Sequence, residues 1–183
     1  MERTSVVKKM VLCAACIALC YILPVALHPV GLGGVLSPMH LPVLLCGLVC
    51  GWGYGAVCGV IGPVVSHLLS GMPPVNALVS MIPELMVYGL VTGLCMRYIR
   101  TGKLVADLYI ALSVAMLLGR IVGGIAKALF YLGGGKSFGI ALWVSGYFVE
   151  TLPGILVQLL LIPVLVLALT RARAIGPRYP QAV

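Results

Sequence analysis

Long apolar runs, interrupted by glycine, proline or short basic clusters, divide the chain into six stretches at roughly 6–27, 40–51, 54–71, 76–98, 104–132 and 138–170. Most approach or exceed the roughly 20 apolar residues that a helix needs to cross a bilayer. The pattern predicts an all-α integral membrane protein: one domain over residues 1–183, built as a six-transmembrane-helix bundle. Division of the apolar stretch Met39–Leu69 is the critical step, because it is too long for one ordinary span, and "GWGYG" (Gly51–Gly55) supplies three glycines for a tight turn. Splitting it there implies a short second helix. The motif "SPMHLPVLLCG" (37–47) opens that helix, and Pro38 and Pro42 deny it regular hydrogen bonds at its entry. The last two runs are long enough, at about 1.5 Å per residue, to exceed a hydrocarbon core of about 30 Å. They are expected to tilt or kink, the sixth at Pro153 and Pro163.

Composition identifies the solvent. The chain of 183 residues is 62% hydrophobic and 9% charged, with a mean hydropathy of +1.17, whereas soluble proteins are about half apolar and a quarter charged. No small-residue cleavage site and polar mature domain follow the first run, so it reads as a retained helix. The formal net charge of +8 comes without an aromatic-interleaved basic patch, which argues against nucleic acid. The charges instead cluster: Arg3, Lys8 and Lys9 before the first run, Arg97, Arg100 and Lys103 in a central loop, and Arg171, Arg173 and Arg178 in the tail. With six spans all three clusters share one side, and the positive-inside rule places both termini in the cytoplasm. Treating 39–71 as a single span would put the last two clusters outside. Three outer loops follow, at 28–39, 70–76 and 131–137. The seven cysteines are odd in number and lie within apolar runs, so neither a disulfide framework nor a metal site is expected, and the lone CxxC at Cys13 and Cys16 reads as helix packing.

Four charges lie inside the spans: Glu84, Arg120, Lys127 and Glu150. Each costs at least about 2.5 kcal/mol at mid-helix, so each needs a reason. Arg120 and Lys127 share a helix face with Gly123, Gly124 and Tyr131, where the glycines are expected to leave open space; Glu84 and Tyr88 share another, and Tyr147, Glu150, Thr151 and Gly154 a third. Three polar stripes on consecutive helices are most economically pointed at one outer-half cavity, with Asn76 at its rim. There Arg120 or Lys127 would take an anionic or polar group, Glu84, Glu150 and Asn76 would form hydrogen bonds, and Tyr88, Tyr131 and Tyr147 would form amphipathic walls. His40 reads as a polar gate residue under the first loop, with Met39 a hydrophobic wall beside it. Gly31, Gly33 and Gly34, with Gly133–Gly135, would let the outer loops close as a lid. A competing reading has Glu84 and Glu150 merely neutralising Arg120 and Lys127 in buried ion pairs that set helix register. Such a structural subunit would have no cavity. An enzyme using Glu84 or His40 as base is disfavoured, since neither HExxH nor GxSxG occurs and no catalytic residue is expected. Ala14 and Ala18 in "AACIA" have small-xxx-small spacing, which by itself favours packing within the bundle.

Taken in order, "SPMHLPVLLCGLVCGWGYGAVCGVIGPVVSHLLSGMPP" (37–74), "PELMVYGLVTGL" (83–94), "LGRIVGGIAK" (118–127) and "LPGILVQLLLIPVLV" (152–166) resemble the substrate-binding S component of energy-coupling factor (ECF) vitamin transporters. That resemblance implies a six-helix bundle that captures a water-soluble vitamin from outside, docks on a membrane T subunit and two ATPase subunits, and topples to release its cargo. It also implies that Ala14 and Ala18, matching the family's AxxxA pattern, face the T subunit. No cofactor is implied, because the partner subunits hydrolyse ATP; this chain has no GxxxxGK[ST]. Pantothenate is the first expectation for the vitamin, with folate, a pyrimidine thiamin precursor and cobalamin as competitors.

Overall fold

The computed structural model describes residues 6–31, 37–134, 139, 143–172 and 174–176. Its elements are helices α1 (Val6–Leu27), α2 (His40–Cys50), α3 (Trp52–Ser70), α4 (Val75–Tyr98), α5 (Leu104–Gly133) and α6 (Leu152–Arg171). A 3-10 turn at His28–Val30 follows α1, and a π-helical turn at Ser145–Val149 precedes α6. Among the described residues there is no strand. Five of the helical segments are long and apolar enough to span a membrane. The exception is α2, whose 11 residues fall well short of a core of about 30 Å. By length alone five of the six predicted spans qualify, and the second is a short apolar helix, as the split at Gly51–Gly55 implies.

Gly51 alone separates α2 from α3, with φ 101° and ψ 171°, a conformation that a side chain would strain. The turn expected over Gly51–Gly55 therefore contracts to one residue, and the other two glycines belong to α3. Gly55 serves packing: a Cβ there would strike the Gly89 carbonyl on α4 and come within 2.6 Å of the Gly47 Cα on α2. Gly47, Gly59 and Gly93 are similarly closed, against Thr92 and Gly89, the Leu85 carbonyl, and the Trp52 backbone. Small residues let membrane helices approach backbone to backbone, and here they seat α4 against α2 and α3. On its other side α4 packs along α5, which places it centrally; α6 touches α2 and α5 more sparsely.

The first helix turns Cys13, Cys16 and Cys20 inward. The Cys13 thiol meets the Tyr54 carbonyl at 3.6 Å and that of Cys20 the Met39 carbonyl at 3.7 Å. All seven cysteines are free. Ala14 and Ala18 lie on the opposite, exposed face. The within-bundle packing that spacing alone favours for them is therefore corrected.

The sixth predicted run, 138–170, is also divided. Residues 135–138 and 140–142 lie outside the described residues, and the regular helix starts only at Leu152. Pro153 lacks an N–H and its ring would clash with the carbonyl four residues back, so the helix restarts there instead of kinking.

Candidate ligand-binding site

At the end of the bundle where α2 and α4 begin lies a cavity of about 510 Å³, within the range of about 300–1,000 Å³ found for small-molecule sites. Pro24 and His28 at the end of α1, Ser37–His40 before and at the start of α2, and Met72–Pro74 between α3 and α4 form its apolar and mixed walls. One face of α4 contributes Ala77, Ser80, Met81 and Glu84; α5 contributes Arg120 and Lys127, and the segment before α6 contributes Gly146, Tyr147 and Thr151. His67 holds part of this wall, its Nδ1 lying 2.7 Å from the Pro73 carbonyl.

The polar floor centres on Glu84, which is 4% exposed. Its Oε1 accepts the Tyr88 hydroxyl at 2.7 Å and faces His40 Nε2 at 3.5 Å. Across the ring, His40 Nδ1 donates to the Ser37 carbonyl at 3.1 Å, and the His40 amide donates to the same oxygen at 3.0 Å. This double anchor aims Nε2 at the carboxylate. Tyr88 packs its ring against that of His40, with centroids 5.2 Å apart. Two glycines on α5 make room for the group: a Cβ on Gly119 would enter the Tyr88 ring, and one on Gly123 would lie 2.8 Å from Glu84 Oε2. Gly124 similarly seats the Trp143 indole. The expectation that Gly123 and Gly124 leave open space is corrected, since both are packed against. Their readable signal is the small-xxx-small spacing of Gly119 and Gly123.

Arg120, between Gly119 and Gly123 on α5, is 3% exposed. One terminal nitrogen donates to the Thr151 hydroxyl at 2.7 Å, which itself donates to the Tyr147 carbonyl at 2.7 Å. The guanidinium lies 5.4 Å from the Phe148 ring centroid, and its Nε has no hydrogen-bond partner. Among the described residues Arg120 forms no ion pair, and the carboxylate of Glu84 faces His40 instead. Lys127 holds its ammonium 5.4 Å from the Tyr147 ring centroid. The cross-neutralisation of Arg120 by Glu84 or Glu150 that a register-fixing role requires is not the arrangement found.

The structure brings Met39, His40, Glu84, Arg120, Lys127 and Tyr147 around one cavity. Tyr88 lies just beneath it, fully buried and bonded to Glu84. Three predicted neighbours fall elsewhere. Glu150 is exposed and off the wall, because the π turn closes from the Glu150 amide to the Ser145 carbonyl at 2.9 Å; its wider winding breaks the 3.6-residue face that would join Glu150 to Tyr147. Tyr131 sits against Phe130 in the last, largely exposed turn of α5, beyond the cavity. Asn76 is exposed in the first turn of α4, and the Met72–Pro74 segment takes the edge assigned to it. Ser80, Met81, Met72 and Ser37 escape the sequence reading; Ser80 and Met81 share the α4 face of Glu84 at helical spacing, which is a readable signal. Of the lid glycines, Gly31 lines the cavity, while Gly33, Gly34 and Gly135 lie outside the described residues.

A helical, membrane-spanning protein whose apolar bundle encloses a ligand-sized cavity with a buried charged wall is a substrate-binding membrane subunit in design. Residues 8–166 match the family model described as "ECF transporter, substrate-specific component", and the chain belongs to that family. Comparisons with curated proteins and with solved structures gave no match.

Proposed function

We propose that this chain is the substrate-capture subunit of an ECF-type ABC importer and that its cavity binds a small, water-soluble, anionic vitamin, pantothenate first among them. The reading rests most heavily on Arg120, a buried guanidinium that lines the cavity and has no ion pair among the described residues. A cation buried without a counter-charge costs several kcal/mol; a ligand carboxylate set against the cavity-lining guanidinium would relieve it. Ser80, Tyr147 and the His40–Glu84 pair offer hydrogen bonds to the remainder of such a ligand, while Met39, Met72 and Met81 supply apolar contact. A volume of about 510 Å³ lies in the range of small-molecule sites and accommodates a ligand the size of pantothenate.

In this reading the chain crosses the membrane with both termini in the cytoplasm, α2 completing a six-helix bundle, and the cavity opens outward. The exposed Ala14 and Ala18 face docks on the T subunit, and the two ATPase subunits supply ATP hydrolysis. The test is a panel of radiolabelled vitamins offered to the purified protein, wild type and Arg120→Ala. Tight binding of one small anionic vitamin, lost in the variant, is expected. Absence of any tight ligand, or equal binding by Arg120→Ala, would sink the proposal. For docking, Ala14→Leu with Ala18→Leu is expected to abolish co-purification with the T and ATPase subunits.

A further inference from the structure

A second cavity, of about 490 Å³, lies at the opposite end of the bundle, where α2 meets α3, α4 and α6 end, and α5 begins. Three cations line it: Lys9 from the start of α1, Arg97 from the last turn of α4, and Arg100 just beyond. Among the described residues no carboxylate lines the wall, and none of the three cations is in an ion pair. The nearby Asp107 is directed instead to Thr101, accepting its amide at 2.9 Å and its hydroxyl at 2.7 Å. Between the cations the lining is apolar and aromatic, with Leu48, Val49, Met96 and Val166 beside Trp52 and Tyr54. Trp52 is 47% exposed, as aromatic side chains at the headgroup level usually are.

We infer that this cavity is a binding site for an anionic phospholipid, with the headgroup phosphate between Lys9, Arg97 and Arg100 and the start of an acyl chain along the apolar wall. Three points select that ligand. Unopposed cations from two helices and the following turn converge, which calls for a compact anion with several acceptor oxygens. The cations sit at the ends of spans, at the depth where headgroups lie, and basic pockets between helices at such ends are suited to acidic lipids. The continuous apolar lining would be wasted on a free inorganic anion but matches a glycerophosphate that carries hydrocarbon. The site is distinct from the ligand cavity, sharing no lining residue with it.

The experiment compares lipid retention by the purified, detergent-solubilised full chain in native mass spectrometry after equilibration with phosphatidylglycerol or phosphatidylcholine. Phosphatidylglycerol is expected to be retained with about tenfold or greater preference, and that preference should fall as NaCl is raised. The combined variant Lys9→Gln, Arg97→Gln, Arg100→Gln should lose it, while Lys9→Arg, Arg97→Lys, Arg100→Lys should keep most of it. The charge-preserving variant and the salt titration of wild type test the idea even where the neutralised variant fails to fold. Equal retention of the two lipids by wild type would overturn the inference. So would a preference that salt does not touch, or one that survives neutralisation of the three cations. Inorganic phosphate is the second arm: if millimolar phosphate displaces the lipid completely, the site reads a free anion, and the lipid assignment is overturned.

Discussion

The two cavities are nearly equal in volume, about 510 and 490 Å³, and each is lined by cations, yet they hold those cations in opposite ways. In the His40 cavity Arg120 is almost fully buried, positioned by Thr151 and Phe148, and one nitrogen is left without a partner. In the Arg97 cavity Arg97 and Arg100 are exposed and Lys9 is half-buried. A buried, oriented guanidinium can discriminate among ligands by geometry, because an anion that fails to reach it leaves a costly unsatisfied donor. Exposed cations hold only the screened attraction of charge for charge. The number of cations therefore does not determine selectivity; desolvation and fixed geometry do. The same contrast lets the two ends be separated experimentally.

The largest effect should come from the shared structure between them. The crossing of α3 and α4 at Gly55 and Gly89 lies between the cavities, and a Cβ on Gly89 would enter the Gly55 backbone. Gly89→Val is expected to destabilise by more than the roughly 1–3 kcal/mol of ordinary overpacking, since backbone cannot give way. Loss of the monodisperse peak in size-exclusion chromatography would report it, and both ligand and lipid binding should vanish together. Retention of either would mean that the two ends fold independently.

Next in size is Arg120→Ala, which separates the ends. Removing one partner of a buried charged contact costs about 2–5 kcal/mol, or about 30-fold to several thousandfold in Kd. Equilibrium binding of the proposed anionic ligand should fall by that range while phosphatidylglycerol retention stays unchanged. Arg120→Lys should recover little, because an ammonium lacks the planar fork. Gly123→Ala is a subtler probe of the same end. Its methyl would lie 2.9 Å from the Glu84 Cβ, shifting the carboxylate and with it His40. We expect vitamin binding about tenfold weaker, equivalent to about 1.4 kcal/mol, again with lipid retention intact.

These features are unequally legible in the sequence. Helices α1, α4 and α5 can be bounded to within a residue because hydrophobic runs and charge clusters agree on their ends, as at Tyr98 and Leu104. The polar residues of the main cavity are partly legible because a charge inside a span is costly wherever it lies, and that cost alone singles out Glu84, Arg120 and Lys127. What periodicity cannot supply is the local departure from it. The π turn at Ser145–Val149 carries no compositional mark, so a regular helical reading puts Glu150 on a face that the real backbone does not present. The role of Gly119 and Gly123 is hidden for a different reason: a glycine in a helix means either space or closeness, and only the neighbouring helix decides. The pairing of His40 with Glu84 spans 44 positions and depends on α2 and α4 crossing, which no local pattern encodes. Ala14 and Ala18 show the same ambiguity, since their spacing is identical whether the face turns inward or outward.

The smallest predicted effect tests the exposed cluster. Arg97→Gln removes one of three cations from the second cavity and leaves Lys9 and Arg100 in place. A basic side chain near an anionic surface contributes about 1 kcal/mol, so phosphatidylglycerol affinity should fall only about fivefold. Vitamin binding should not change, because Arg97 lies at the far end of α4 from Glu84. Arg97 also rests against the Tyr98 ring, with the guanidinium carbon 5.6 Å from the centroid, a contact that steadies the side chain without neutralising it. The decisive feature is the salt dependence. Exposed cations acting additively predict that the difference between wild type and Arg97→Gln shrinks as ionic strength rises, since screening reaches them freely. The corresponding difference for Arg120→Ala, measured on vitamin binding, should persist at high salt because its charge is shielded from solvent by the bundle. If both differences respond to salt alike, the two cavities do not differ in how they hold charge.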